Sequence, residues 1–224
     1  MISVVIPIYN EEKILSENAS QFKELSNHTE LIFVDGGSSD KSIEIAENYG
    51  KVLRSRKGRA LQMNRGARSA SSDILLFLHA DSYVSEHTPI AIEENMKKSN
   101  FLGGCLTQRL AKRGAVYRFI ESFGNMRARM TKVFYGDQGI FIRKNMFFEM
   151  KGFPEVPIME DVLFTKKLRK LGKTVVLPNE VSVSPRRWEK KGIIRTISLY
   201  SLLNVLSWMK VSSERIRLLY DDLR

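Results

Sequence analysis

The first half of the chain alternates between short, continuously apolar runs and amphipathic stretches. Ser3–Ile8 predicts a strand, Glu11–Leu25 a helix, Leu31–Val34 a second strand, and Asp40–Tyr49 a helix stopped by Gly50. A short strand at Val52–Leu53, a helix over Ala60–Ala70 and a strand at Ile74–Leu78 continue the pattern. Strands that are apolar throughout have both faces covered, so the expectation is an α/β fold with a mostly parallel sheet between helices. Ligands of such sheets sit at the carboxyl ends of the strands. The residues that follow each run are therefore the first candidates for chemistry.

Three of those strand ends are polar. The first run leads into Pro7-Ile8-Tyr9-Asn10-Glu11, the second into Asp35-Gly36-Gly37-Ser38-Ser39-Asp40, and the fourth into His79-Ala80-Asp81. The glycine pair lets backbone approach a ligand closely, and Ser38, Ser39 or Asp40 can cap the next helix. Capping alone would account for that loop; three polar loops at one sheet edge make a cleft. There is no G-x-x-x-x-G-K-[ST] phosphate loop, no G-x-G-x-x-G after the first strand and no G-x-S-x-G elbow. A nucleotide would be held here by carboxylates rather than by a glycine cradle.

Composition narrows the classes. A chain of 224 residues can bury a full core, and with one cysteine, Cys105, and three histidines it has neither a disulfide framework nor a Cys/His zinc cluster. The start MISVVIPIYNEE has no basic region before its apolar stretch, and no apolar run reaches eighteen residues, so the expected compartment is the cytoplasm. The net charge of +11 is uneven: residues 1–50 carry three basic and nine acidic groups, 51–80 seven and one, 109–132 seven and one, and 166–195 ten and two. Such blocks are either solvated faces or surfaces for a diphosphate, an anionic membrane or a nucleic acid. No aromatics interleave them as in a single-strand platform, so no nucleic-acid partner is expected.

Pro157-Ile158-Met159-Glu160-Asp161 precedes Phe164, Leu168 and Leu171 at helical spacing, with Gly172 as the stop. Asp161 then falls in the first helical turn, where the macrodipole favours an ionised carboxylate. A plain acidic first turn has the same appearance.

Taken in order, SVVIPIYNEE, LIFVDGGSSD, GRALQMNRGA, FLHADS, YGDQGIFIRK, GFPEVPIMEDVLFTKKLRKLG and RRW resemble the family 2 glycosyltransferases, whose domain has the nucleotide-sugar-binding GT-A fold. The resemblance covers residues 1–190 and leaves 191–224 as a helical tail. It looks closest to a subgroup of small soluble members labelled carotenoid or lipid glycosyltransferases. It implies that Pro7, Tyr9 and Glu11 line a nucleoside pocket and that Asp35 reads base or ribose. Many relatives have a second acid where this chain has Gly36, so the base contacts differ and UDP is the expected nucleotide. Arg59 and Asn64 would lie under the nucleotide. The D-x-D of relatives is His79-Ala80-Asp81 here, so Asp81 is the expected ligand for Mg2+ or Mn2+. His79 is either a further ligand or a local hydrogen-bond partner.

The resemblance also makes Asp161 the general base of an inverting displacement, with Glu160 orienting it or contacting the acceptor. Asp137 and Gln138 would face the sugar or acceptor. Arg187 and Trp188 match the end of a Q-x-x-R-W motif that has Ser184 in place of its glutamine, and would serve the diphosphate and the acceptor. Thr196–Met209 has no charge in fourteen residues and follows a basic run. It fits a helix packed over the domain, a homodimer contact, or an interfacial helix on the inner face of a membrane beside a lipid or carotenoid acceptor. Two other classes fit less well: a sugar-1-phosphate nucleotidyltransferase, and a non-catalytic sugar-nucleotide-binding or membrane adaptor.

Overall fold

A computed structural model describes residues 1–184, 192, 195, 198, 199, 202, 203, 205, 206, 209 and 211–222. Arg187, Trp188 and part of the Thr196–Met209 stretch lie outside the described residues.

The expected alternation is present. Strands β1 (Ile2–Ile8), β2 (Thr29–Asp35), β3 (Lys51–Arg54) and β4 (Ile74–Phe77) alternate with helices α1 (Glu12–Glu17), α2 (Ala19–Ser26), α3 (Ser42–Glu47) and α4 (Arg59–Ser69). All four strands pair in parallel, in the spatial order β3-β2-β1-β4. The order reverses direction at β1, which creates a crevice between the ends of β1 and β4. Pro7 helps to open it. Val5 turns its carbonyl to the Leu78 amide and Ile8 turns its own to Gly36, so by alternation Pro7 faces the β4 side, beyond the last paired residue, Val5. A residue without an amide leaves no ladder bond unmade there.

The second half is mixed rather than parallel. It comprises β5 (Ser82–Val84), α5 (Thr88–Lys98), β6 (Gly103–Leu110), α6 (Ala115–Thr131), a 3-10 turn at Gly136–Gln138 and β7 (Ile140–Arg143). It continues with α7 (Lys144–Glu149), α8 (Glu160–Leu171), β8 (Thr174–Val183) and α9 (Ser213–Asp222). β7 runs antiparallel to both β4 and β6, β6 pairs in parallel with β8, and β5 closes the eight-stranded sheet antiparallel to β8.

Two buried apolar clusters cover the sheet. One joins β1 and β2 to α2 through Phe22, Leu25 and Phe33; the other joins α4, α7 and α8 through Met63, Phe147, Phe164 and Leu168. α4 lies close against β1 because Gly66 has no side chain: a Cβ there would come within 2.4 Å of Val5 Cγ1. A smaller cluster of Leu199, Leu203 and Ile216 packs with Ile158 and Met159, just ahead of α8.

Two expected helices are shorter than their pattern. Glu11–Leu25 divides at Asn18, where the backbone departs from helical angles and the side-chain amide donates to the Ala80 carbonyl at 2.7 Å. Asp40 stays outside α3 because its carboxylate accepts the amides of Ser42 (3.0 Å) and Glu12 (3.1 Å).

Asn64 has a structural task. Its side-chain amide donates to the Phe153 carbonyl and its oxygen accepts the Phe153 amide, each at 2.9 Å, which ties α4 to the turn before α8. The side chain is buried and both of its polar ends are taken. Asn64→Ala should orphan two buried backbone groups and lower unfolding stability by about 2–4 kcal/mol. Urea titration with an unchanged slope checks it; an unaltered midpoint would contradict this assignment.

Candidate active site

The loops after β1 and β2 are laced together before any ligand arrives. Asn10, in a left-handed conformation (φ 52°), donates its amide to Ser38 Oγ and accepts the Ser39 amide on its side-chain oxygen. The Glu11 amide donates to Ser42 Oγ at 2.7 Å. Desolvation alone would raise the Asp40 carboxyl, but bonds from Ser42 and from the Glu12 amide outweigh it and hold the group below its ordinary range.

Asp35 is buried at the end of β2, and its carboxylate accepts the Gly37 amide at 2.8 Å and the Ser38 amide at 3.1 Å. It therefore shapes the glycine loop from within. Gly36 sits where a Cβ would lie 3.1 Å from the Gln62 amide nitrogen. That nitrogen donates to the carbonyls of Ile8 (2.8 Å) and Val34 (2.7 Å), bracing the ends of β1 and β2. Nothing in the motif marked Gln62; its signal is a polar residue among the buried positions Ala60, Met63, Gly66 and Ala67 of α4. Tyr9 is part-exposed at the mouth, with the Lys57 ammonium 3.8 Å from its ring centroid.

The His79-Ala80-Asp81 turn is held from α2. Besides the Asn18 bond to Ala80, the buried Gln21 donates to the Ser82 carbonyl at 3.0 Å and accepts the Val84 amide. The Ser82 amide returns to the His79 carbonyl, so Asp81 stands at the tip of a closed turn.

Near its His79 is the start of α8. Asp161 Oδ2 accepts the Gly136 amide at 2.6 Å and Oδ1 accepts its neighbour's Val162 amide at 2.7 Å. A Cβ on Gly136 would meet His79 Nε2 at 3.0 Å and Asp161 Oδ2 at 3.4 Å, so the two side chains converge on the Cβ-less face of that glycine. The sequence, with the two residues 82 positions apart, did not show this pairing.

Glu160 is 3% exposed and lies 3.5 Å from Arg59 Nη1 at the start of α4. Burial, and then the neighbouring Asp161 charge, raise its carboxyl above the ordinary range, with Arg59 acting the other way. Arg59 thus reaches the first turn of α8.

Asp137 and Gln138 are turned inward. Asp137 Oδ2 accepts from Gln108 Nε2 at 2.6 Å, while Gln138, 1% exposed, accepts the Tyr135 amide and Arg127 on its oxygen. Arg127 also stacks 3.6 Å from the Tyr135 ring centroid. These contacts build the wall beneath Gly136.

For a metal, no group of three His, Cys, Asp or Glu side chains is assembled among the described residues. Asp81 supplies one hard oxygen donor. That set fits Mg2+ or Mn2+ only if the remaining oxygens come from a diphosphate and water.

The buried Glu160 gives a pH signature. Below its ordinary value of 4.5 the carboxyl is protonated folded or unfolded, so it exacts no penalty. As pH rises past that value the unfolded chain ionises first, and the folded state loses relative stability. Glu160→Gln should raise the melting temperature near pH 8 and leave it unchanged near pH 4. A gain equal at both pH values would sink the electrostatic account.

Comparison with known proteins agrees with this architecture. The model of the family described as "Glycosyl transferase family 2" matches residues 3–153. An uncharacterised glycosyltransferase of Haemophilus influenzae is 25% identical over 89% of this chain and 87% of its own length. The undecaprenyl-phosphate 4-deoxy-4-formamido-L-arabinose transferase of Photorhabdus laumondii is 30% identical over 63% of this chain. The chain spans only 48% of that relative. Among solved structures, Staphylococcus aureus TarS 1–349 in complex with UDP-GlcNAc superimposes with a TM-score of 0.65 at 19% identity, covering 82% of this chain and 58% of that one. The mannosyltransferase PcManGT of Pyrobaculum calidifontis, in complex with GDP-Man and Mn2+, does so at 0.65 and 18% identity, covering 81% and 56%. With its parallel half-sheet, its mixed second half and the matched family model, the chain belongs to the family 2 glycosyltransferases and has the GT-A fold.

Proposed function

We propose that this protein transfers a sugar from a nucleotide donor, UDP-linked, to an acceptor hydroxyl with inversion at the anomeric carbon. The observation that carries the reading is the Asp161 carboxylate, fixed by two backbone amides and converging with His79, two residues before Asp81, on the face of Gly136. Each oxygen keeps a second lone pair, so the group can still accept a proton while its position is set. In this reading the acceptor hydroxyl gives its proton to Asp161 and its oxygen attacks the anomeric carbon. The bond to the diphosphate oxygen breaks and the nucleoside diphosphate leaves.

Tyr9 and the backbone of the Asp35–Ser38 loop would hold the nucleoside, with Arg59 and Lys57 near the phosphates. Asp81 would hold a divalent ion carried in with the donor, which supplies charge compensation for the leaving diphosphate. That PcManGT is in complex with both GDP-Man and Mn2+ supports that role for the fold. A lipid-like acceptor is supported by the likeness to the undecaprenyl-phosphate 4-deoxy-4-formamido-L-arabinose transferase.

Two substitutions separate binding from chemistry. Asp161→Asn should leave donor affinity nearly unchanged and lower the rate of transfer, or of donor hydrolysis, by at least about a hundredfold. Equal turnover would reduce Asp161 to a structural cap. Asp81→Ala should abolish the manganese-dependent part of UDP binding, measured by calorimetry with and without Mn2+. His79→Asp, which restores a second carboxylate, should keep it. If Asp81→Ala binds UDP and Mn2+ as the parent does, the metal assignment fails.

A further inference from the structure

The helix α6 is built inside out. Its protein-facing side carries Glu121, Asn125 and Ala128, all buried, while Val116, Phe119, Phe123, Met126 and Met130 are exposed. Phe119 is 66% exposed, Phe123 56% and Met130 76%. The exposed positions recur at steps of three and four, so they form one apolar stripe along a helix about 25 Å long. Phe119 and Phe123 lie nearly parallel along it, their centroids 6.3 Å apart.

The polar inner face fixes this orientation. Glu121 accepts the Leu110 amide at 2.7 Å, and Asn125 exchanges two bonds of 2.9 Å with the backbone of Gln108. Turning the phenylalanines inward would leave those backbone groups of β6 unsatisfied. The stripe is thus held outward by the same contacts that attach the helix.

Charge decides what covers it. Lys112, Arg113, Arg118 and Arg129 are exposed around the stripe, and the one acid in the helix, Glu121, is turned inward and engaged. A second copy placed face to face would bring like charges together with no exposed acid on the helix to pair them. An anionic lipid surface offers both what the stripe lacks, an apolar layer and negative charge above it. Among the described residues no helix is long and apolar enough to cross a membrane, so the contact would be interfacial.

We infer that α6 seats the protein on an anionic bilayer surface, with Phe119, Phe123 and Met130 in the headgroup and acyl boundary and the four cations at the headgroups. Gln108 links β6 to Asp137, and Arg127 links α6 to Gln138, so the seat is continuous with the wall of the proposed active site. That the acceptor reaches the site from the lipid rests on the transferase reading; lipid docking itself does not.

The test is sedimentation of the full chain with vesicles of phosphatidylcholine alone and of phosphatidylcholine mixed with phosphatidylglycerol. The expected result is binding to the mixed vesicles only, weakened as salt is raised. Phe119→Ser with Phe123→Ser should lose that binding while circular dichroism and melting temperature stay those of the parent, because both rings are in solvent. Arg113→Glu with Arg118→Glu should lose it likewise. In a Phe123→Trp protein the emission should shift to the blue on addition of the mixed vesicles. The inference is overturned if the parent stays in the supernatant with mixed vesicles, or if the double serine protein sediments as the parent does. It is equally overturned if the parent is a dimer that the serine changes dissociate, since the stripe is then a protein interface. None of these outcomes depends on sugar transfer, so they leave the Asp161 and Asp81 experiments to judge that reading separately.

Discussion

The bond from the Gly136 amide to the Asp161 carboxylate organises the site. It joins the first turn of α8 to the turn that enters β7, and β7 lies antiparallel beside β4, whose end carries His79. Three segments far apart in sequence thereby meet at one point. The absence of a side chain at 136 is part of the constraint, since a Cβ there would press on both His79 and Asp161. A carboxylate held this way spends little conformational entropy when a substrate arrives, which is the physical basis of preorganisation.

Around that point the loops are braced by carboxamides rather than by apolar packing. Asn18 and Gln21 hold the Asp81 turn, Gln62 spans the ends of β1 and β2, Asn64 ties α4 to Phe153, and Asn125 secures α6 to β6. The reason is local. At the carboxyl edge of an open sheet the backbone leaves donors and acceptors without ladder partners, and a cleft cannot be filled with hydrocarbon. A carboxamide offers one donor group and one acceptor, so it can satisfy a backbone carbonyl and an amide together. The net gain per bond is about 1 kcal/mol, but an orphaned buried group costs about 1–3 kcal/mol, so the bracing matters most for what its loss would expose.

The same logic explains the inverted α6. Glu121 and Asn125 are inside because β6 presents backbone groups that need partners, and the phenylalanines are left outside. A helix that were simply amphipathic toward the core would bury the phenylalanines instead.

What the sequence determined by itself was whatever depends on short-range pattern. The apolar runs Ser3–Ile8 and Leu31–Val34, the alternation with helices, and the acidic first turn of α8 before Gly172 were all legible, because strand and helix periodicity are written in neighbouring residues. So was the polarity of the three strand ends. The tertiary structure alone decided the rest. It assigned Asp35 to its own glycine loop and Asn64 to Phe153, brought His79 against Asp161 and Arg59 against Glu160, and turned Asp137 and Gln138 toward Gln108 and Arg127. It also turned the phenylalanines of α6 to solvent. A side chain's hydrogen-bond partner is set by which distant backbone groups the sheet leaves unpaired, and no local spacing encodes that.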